Sequence, residues 1–248
     1  MLESLLIFIF GLILGSFLNC LLWRMYKGEG FISGSSYCPS CRHDLSFWDL
    51  FPLFSFLFLK GKCRYCKSKI SYQYPLVELA VGALFLFVYL QTGITIEMFF
   101  LWIIMFLFVA IFVYDFKYYI IPDSFILIGI VTSFLWIIFS SWDISYLLSA
   151  IGASLFFFLI WFFSKGLAMG FGDVKLAFFL GLLLGYPNII TGIFLGFLFG
   201  AVIGTVMIFI QKKKLKSEIP FAPFLIGGSF IALFWGYDIM NLYLSLIK

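Results

Sequence analysis

Residues 98–115 read MFFLWIIMFLFVAIFVYD, an apolar run that ends on an aspartate. About 20 apolar residues carry one α-helix across the hydrocarbon core of a bilayer. Together with seven similar runs, this run predicts about eight transmembrane helices, of which the sixth is short, at 4–23, 76–91, 98–115, 123–140, 146–164, 173–186, 189–210 and 223–244. Of the 248 residues 64% are hydrophobic and only 11% are charged, with a mean hydropathy of +1.13. We therefore expect an all-α, polytopic membrane protein.

The positions of the basic residues orient these helices, since Lys and Arg gather on the cytoplasmic side of a membrane. Fifteen of the 16 basic residues fall on one side of the predicted map, and only Lys248 falls on the other. The fifteen are Arg24, Lys27, Arg42, Lys60, Lys62, Arg64, Lys67, Lys69, Lys117, Lys165, Lys175, Lys212, Lys213, Lys214 and Lys216. This predicts an external N-terminus and a cytosolic insertion at 24–75 after the first helix. Nearby anionic lipid explains the net charge of +4, so no nucleic acid is expected.

Four of the five cysteines lie in residues 24–75. CPSC (38–41) and CRYC (63–66) are separated by 21 residues, which is typical of a tetrahedral four-thiolate zinc site. The reducing cytosol argues against structural disulfides, and the alternatives are exposed thiol pairs or a redox dithiol. Zinc on four thiolates has no open position, so its predicted role is structural. The predicted ligands are Cys38, Cys41, Cys63 and Cys66.

Three other features near the cysteines are interpreted as structural. The apolar stretch FWDLFPLFSFLFL (47–59) is too short to span a bilayer and is predicted to be interfacial or core-filling. His43, the single histidine, is expected to be a solvated surface residue rather than a ligand. Cys20, inside the first helix, is expected to be a buried apolar filler.

Asp115 and Asp173 are the acids that the sequence favours for chemistry. Each adjoins a long apolar run at the predicted cytosolic side, where an ionised carboxylate is costly. Two close carboxyls that share a proton act as base and acid when water attacks a peptide bond, so the pair predicts an aspartic protease. Structural alternatives are an ion pair of Asp115 with Lys117 or Lys175, and an N-cap role for Asp173.

Further residues are candidates for active-site support. Gly170 and Gly172 flank Asp173 and would permit unusual backbone angles and close approach of a substrate. Asp123 follows Pro122 and is interpreted mainly as a helix-start residue. Glu78 lies about one turn inside the second helix, where a functional and a purely structural role are equally open.

Five motifs in order resemble the prepilin peptidases, the membrane aspartic proteases that process type IV prepilins and pseudopilins. They are GSFLNCLLWR (15–24), the two Cys-x-x-Cys pairs, YPLVEL (74–79), Asp115 eight residues before the Asp of IPD, and GFGDVK (170–175). The resemblance covers nearly the whole chain and implies Asp115 and Asp173 as catalytic aspartates. The candidates for active-site support, Gly170, Gly172, Lys175, Glu78 and Asp123, lie in these motifs. Many relatives carry an acid where Lys117 stands, so we expect a shifted pH optimum.

The resemblance implies a bacterial inner-membrane enzyme that cleaves a short basic leader after glycine at the cytosolic face. It also implies methylation of the new N-terminal residue with S-adenosylmethionine. The implied partners are a prepilin or pseudopilin and membrane lipids, with no particular oligomeric state. The implied parts are a first helix (1–23), a zinc-binding methyltransferase segment (24–75) and a peptidase core (76–248).

A second hypothesis for the function, from a different functional class, is a small transporter or channel with a zinc-stabilised cytosolic plug. It predicts polar residues that line a path at mid-bilayer depth. The uncharged polar residues of the predicted helices are scattered, and the acids lie near the membrane surface, so the sequence disfavours transport.

Overall fold

The computed structural model describes residues 1–30, 34–140, 143–211 and 220–247. The lysines at 212–214, 216 and 248, which helped to orient the helices, lie outside these ranges. The chain divides into two compact units, Met1–Ala110 and Ile111–Lys248. The described residues form nine α-helices and one 3-10 turn, and their extended pairing is limited to two isolated bridges. The predicted all-α class is confirmed.

The first unit is built on two closely packed helices. Its elements are α1 (Leu2–Lys27), the 3-10 turn Phe47–Asp49, α2 (Phe54–Phe58), α3 (Gln73–Thr92) and most of α4 (Ile96–Tyr118). A Cβ at Gly15 of α1 would lie 2.6 Å from the Cα of Glu78 in α3, so only glycine permits this approach. Small residues at the contact are the usual means of packing helices in lipid, where no hydrophobic effect drives them together.

Two residues of the GSFLNCLLWR motif hold the chain that follows α1. The amide of Asn19 donates to the carbonyl of Tyr74 (3.1 Å), and Gln73 donates to the Asn19 side chain (3.4 Å), which ties α1 to the start of α3. The nearly buried guanidinium of Arg24 donates to the carbonyls of Gly34 (2.8 Å) and Ser35 (2.9 Å). The motif therefore fixes both ends of the cysteine-bearing insertion.

The second unit contains the end of α4 and five further helices. These are α5 (Asp123–Ser140), α6 (Ile144–Phe163), α7 (Phe171–Leu184), α8 (Asn188–Gln211) and α9 (Ala222–Ile247). The helices α8 and α9 pack closely against each other at two glycines. A Cβ at Gly228 would lie only 2.6 Å from the backbone nitrogen of Gly196.

All eight predicted runs are helical, but the sixth differs from the others. Seven of the described helices are long and apolar enough to cross a membrane. Helix α7 has 14 residues and is about 21 Å long, against a hydrocarbon core of about 30 Å. It contacts α5, α6, α8 and α9, and most of its side chains are buried. Its apolar sequence therefore reflects a core position within the second unit.

Candidate active site and metal centre

The second unit brings Asp115 and Asp173 together. Asp115 lies in the last turns of α4, and Asp173 is the third residue of α7. Their exposed fractions are 6% and 7%, and their carboxyls interact electrostatically. Two interacting, nearly buried carboxyls do not both ionise readily, so the pair is suited to holding one proton between them.

Each carboxyl accepts a hydrogen bond from a backbone N–H at the start of a helix. Asp173 accepts from Gly170, the N-cap of α7, and Asp115 accepts from Ala222, the first residue of α9. The first N–H groups of a helix lack partners within it and readily hold a carboxylate. Asp173 is thus not the N-cap, although its side chain reaches back to the N-cap residue.

The start of α9 is a part of the site that the sequence analysis missed. Its signal is the proline-flanked helix start PFAPF (220–224), since proline favours the first turn of a helix. The ring of Phe221 lies 5.1 Å from that of Phe197 in α8 and 6.0 Å from that of Phe157 in α6, between ring centroids. This packing holds the fully buried Ala222 against Asp115.

Gly170 and Gly172, which were expected to permit unusual backbone angles near Asp173, have ordinary ones. Gly170 has φ −76° and ψ 153°, which any residue adopts, and Gly172 is not among the described glycines with positive φ. The predicted unusual backbone angles are therefore wrong. Gly172 instead provides space, because a Cβ there would lie 3.3 Å from the Cβ and Cδ1 of Ile121. The turn between α4 and α5 thus packs directly on the first turn of α7.

Asp123 and Lys175 form an ion pair that joins α5 to α7. Lys175 Nζ lies 2.7 Å from Asp123 Oδ1, with side chains 37% and 72% exposed. Asp123 begins α5, in agreement with its predicted helix-start position. The ion-pair partner of Lys175 is therefore Asp123. Lys117 contacts an aromatic ring, since its ammonium lies 5.2 Å from the centre of the Tyr118 ring.

Glu78 belongs to the first unit and is 7% exposed. Its Oε2 accepts the backbone N–H of Leu53 at 2.8 Å, and its carboxyl also accepts from the Ser16 hydroxyl. These contacts join α3 to α1 and to the insertion between them.

The four predicted metal ligands converge. The sulfurs of Cys38, Cys41, Cys63 and Cys66 all lie within 4.8 Å of one another. A tetrahedral zinc ion with Zn–S bonds of about 2.3 Å requires sulfurs roughly 3.8 Å apart. The cluster therefore has the donor set and the spacing of a four-thiolate metal site.

The two cysteine pairs are held by the same backbone structure. Cys38 N–H donates to the carbonyl of His43 and Cys63 N–H to that of Ser68, at 2.9 and 2.8 Å. Arg42 and Lys67, each directly after the second cysteine of its pair, have φ 57° and 61°. Residues 37–44 and 62–69 are thus two copies of one knuckle, each closed by an isolated bridge.

Hydrogen bonds within the knuckles stabilise two of the four thiolates, those of Cys38 and Cys66. Although burial opposes the shift, backbone hydrogen bonds from Cys41 and Ser40 lower the pKa of the Cys38 thiol to about 6. A hydrogen bond from the Ser68 hydroxyl likewise lowers the pKa of Cys66. Despite a backbone hydrogen bond involving His43, desolvation and the neighbouring thiols raise the pKa of Cys41 to about 11. A divalent cation would offset this accumulation of negative charge.

His43 and Cys20 stand outside the metal cluster. His43 is exposed and stacks on Tyr65 with ring centroids 3.6 Å apart, in agreement with its predicted surface position. Cys20 is half-buried rather than buried, and its sulfur lies 3.7 Å from Ser36 Oγ.

The fold and the pair of carboxyls are those of a polytopic membrane protein of the aspartic peptidase class, and the chain also carries a four-cysteine centre. Residues 9–92 match the Bacterial Peptidase A24 N-terminal domain, and residues 101–205 match the Type IV leader peptidase family. The chain belongs to this family of aspartic prepilin peptidases, and the resemblance stated from the motifs is confirmed.

Curated relatives extend the match over almost the whole chain. A Bacillus subtilis (strain 168) protein named prepilin leader peptidase/N-methyltransferase is 32% identical over 97% of either chain. Proteins with the same name from Stutzerimonas stutzeri and Pseudomonas aeruginosa are each 30% identical. These two matches cover 97% and 95% of this chain and 93% and 91% of the relatives. No solved structure matches the chain.

Proposed function

We propose that this chain cleaves the short basic leader of type IV prepilins or pseudopilins, after glycine, at the cytosolic face of the bacterial inner membrane. The observation that carries the proposal is the nearly buried, interacting pair Asp115 and Asp173. The names of relatives that cover almost the whole chain support the same substrate class. Family membership also disfavours the transporter alternative.

In the proposed reaction, one ionised carboxyl of the pair takes a proton from water as the water oxygen attacks the scissile carbonyl carbon. The other carboxyl gives its proton to the leaving amine as the C–N bond breaks. The backbone N–H groups of Ala222 and Gly170 hold the two carboxyls in place, so little reorganisation accompanies the step.

The positions of the two aspartates suit a substrate that stays in the membrane. Asp115 follows the long apolar run of α4, close to the end of a helix that can cross the bilayer. A scissile bond at this depth leaves the basic leader in water and the apolar substrate helix in lipid.

We propose zinc as the metal of the four-cysteine centre, held by Cys38, Cys41, Cys63 and Cys66 in a structural role. We also propose N-methylation of the new N-terminal residue, which the relatives' names support, with S-adenosylmethionine as methyl donor. A cavity of about 340 Å³ in the first unit is lined mainly by apolar side chains. It suits hydrocarbon rather than a charged nucleoside, and we do not assign it to the methyl donor.

The test uses purified full-length protein in detergent and a peptide with a basic leader, Gly, Phe and an apolar helix. Intact-mass spectrometry compares wild type with Asp115→Asn, Asp173→Asn and the exposed-acid control Asp238→Asn. We expect cleavage after Gly by wild type and Asp238→Asn only. With S-adenosylmethionine, the product should gain the mass of one methyl group. Cleavage that survives in Asp115→Asn or Asp173→Asn would refute the catalytic pair.

A further inference from the structure

Residues 47–59, which we call the apolar segment, carry large apolar side chains that are exposed. The segment comprises the turn Phe47–Asp49, a short connection and α2. The exposed fractions of Phe47, Trp48, Leu57 and Phe58 are 73%, 70%, 69% and 82%. Large exposed apolar side chains grouped on one short segment are typical of a contact with a membrane or another molecule.

The apolar segment lies beside the middle of α1. Side chains of both line the cavity of about 340 Å³, including Ile9, Ile13 and Ser16 of α1 and Phe51, Pro52 and Phe54 of the segment. At 1.5 Å per residue, Ser16 and Ile9 lie about 12 and 22 Å along the helix axis from Arg24. Since α1 can cross a membrane and Arg24 lies at its charged end, the segment reaches hydrocarbon depth.

Glu78 explains how a non-helical turn is tolerated at this depth. Backbone groups in lipid need a protein partner, because water is absent. At the tip of the segment, Leu53 has φ 61° and donates its N–H to Glu78 Oε2 at 2.8 Å. The Ser16 hydroxyl donates to the same carboxyl, and Leu57 N–H donates to the Leu53 carbonyl at 3.0 Å to begin α2.

The surroundings of the apolar segment favour lipid as the molecule that covers it. Ile13 and Phe17 of α1 are about half exposed and line the same cavity as Phe54, so the lipid-facing side of α1 continues into the segment. Exposed basic side chains follow α2 where anionic headgroups would meet them. These are Lys60, Lys62, Lys67 and Lys69.

We propose that the apolar segment is a re-entrant element that inserts into the hydrocarbon layer beside α1, with lipid acyl chains covering Phe47, Trp48, Leu57 and Phe58. The two cysteine knuckles that flank it then lie at headgroup level. The cysteine centre is thereby attached to the bilayer by α1, by α3 and by the segment between the knuckles. This inference rests on α1 as a membrane helix and not on the peptidase activity.

Photo-crosslinking of the full-length protein in nanodiscs of phosphatidylcholine and phosphatidylglycerol tests the insertion. The photoreactive p-benzoylphenylalanine replaces Phe58 or Trp48, with Phe17 as the lipid-facing control and Tyr65 of the second knuckle as the control at headgroup level. We expect phospholipid adducts at Phe58 and Trp48 with the yield found at Phe17, and a lower yield at Tyr65. Adduct yields no higher than at Tyr65 would overturn the proposal. Displacement of the adducts by a crosslinked prepilin peptide would overturn it in favour of a substrate surface.

A matched pair at Glu78 tests the tip contact without changing an exposed aromatic residue. Glu78→Gln keeps an oxygen for the Leu53 N–H, whereas Glu78→Ala leaves that N–H unpaired. We expect lipid adducts at Phe58 to persist in Glu78→Gln and to fall in Glu78→Ala. Metal content, measured in both, shows whether the cysteine centre is intact. Equal adduct yields in the two variants would contradict the role of Glu78 in insertion.

Discussion

The backbone N–H of Ala222, at the start of α9, donates a hydrogen bond to the carboxyl of Asp115, near the end of α4. Ala222 is fully buried, and the ring of Phe221 beside it packs between those of α6 and α8. A donor on a fixed helix end holds a carboxylate in one orientation at little entropic cost. We therefore infer that α9 positions the proposed catalytic pair through its backbone.

Substitution of Ala222 by proline should impair this contact selectively. Proline lacks the N–H, but its φ suits the first position of a helix. We expect kcat for leader cleavage to fall about 10- to 100-fold, as for a lost charge-assisted hydrogen bond of about 1.5–3 kcal/mol, with KM unchanged. Steady-state kinetics on a prepilin peptide measure both constants. Ala222→Gly keeps the N–H and is the control; equal kcat values in the two variants would contradict the positioning role.

The space beside Gly172 gives a second prediction. In Gly172→Ala the new methyl group lies 3.3 Å from the Ile121 side chain, next to Asp173. We expect a loss of cleavage of about tenfold or more, because displacement of the first turn of α7 moves Asp173 relative to Asp115. Shortening the neighbour in the double variant Gly172→Ala/Ile121→Ala should restore part of the activity. No recovery would show that Gly172 is needed for another reason. Gly170→Ala should lose less, since its nearest neighbour lies at 3.8 Å.

The Asp123–Lys175 ion pair should contribute little on its own. Both side chains are well exposed, and such pairs contribute about 0.2–1 kcal/mol, or roughly fivefold at most. We expect Asp123→Asn to cleave the peptide within about fivefold of wild type, far above Asp115→Asn. Peptidase rates of Asp123→Asn, Lys175→Gln and the double variant form a cycle that measures the coupling. An inactive Asp123→Asn enzyme would place this carboxylate in the chemistry instead.

For the second unit, the local sequence predicts the helices and the two candidate aspartates. It does not predict which parts of the chain pack against them. Apolar runs long enough to span a bilayer predict the helices, and the scarcity of acids singles out Asp115 and Asp173. Apolarity does not distinguish a helix in lipid from one among other helices, and α7 is of the second kind. The Ala222 contact was also missed, because a backbone N–H has no signature in the side-chain pattern.

In the first unit, the sequence predicts the metal ligands but not how the segment between them is held. Two Cys-x-x-Cys pairs suffice to predict the cluster of Cys38, Cys41, Cys63 and Cys66, because this spacing is typical of a four-thiolate metal site. The sequence leaves the role of Glu78 open, since its partners Leu53 and Ser16 lie on separate stretches of chain. Such long-range contacts are tertiary and leave no periodic pattern to read.

Acid should weaken the binding of the proposed zinc ion at the cysteine centre, because its thiolate ligands take up protons. Hydrogen bonds from Cys41 and Ser40 outweigh burial and lower the pKa of Cys38 to about 6. A group whose pKa is lowered in the folded state stabilises the fold above its unfolded-state pKa. This contribution is lost as the pH falls through the folded-state value. Because protons also compete with a metal ion for the other thiolates, we expect zinc release, followed with a colorimetric chelator, to increase as the pH falls below neutral.

Cysteine variants separate this centre from the remaining thiol. Cys38→Ser and Cys66→Ser remove one ligand each and should lose zinc already at neutral pH, measured as metal per protein by atomic absorption. Cys20→Ser is the matched control, since Cys20 lies in α1 beside Ser36 and outside the four-sulfur cluster. Wild-type protein that releases its zinc near neutral pH would contradict the expected thiolate stabilisation. Zinc retained in full by Cys38→Ser would contradict the four-thiolate site itself.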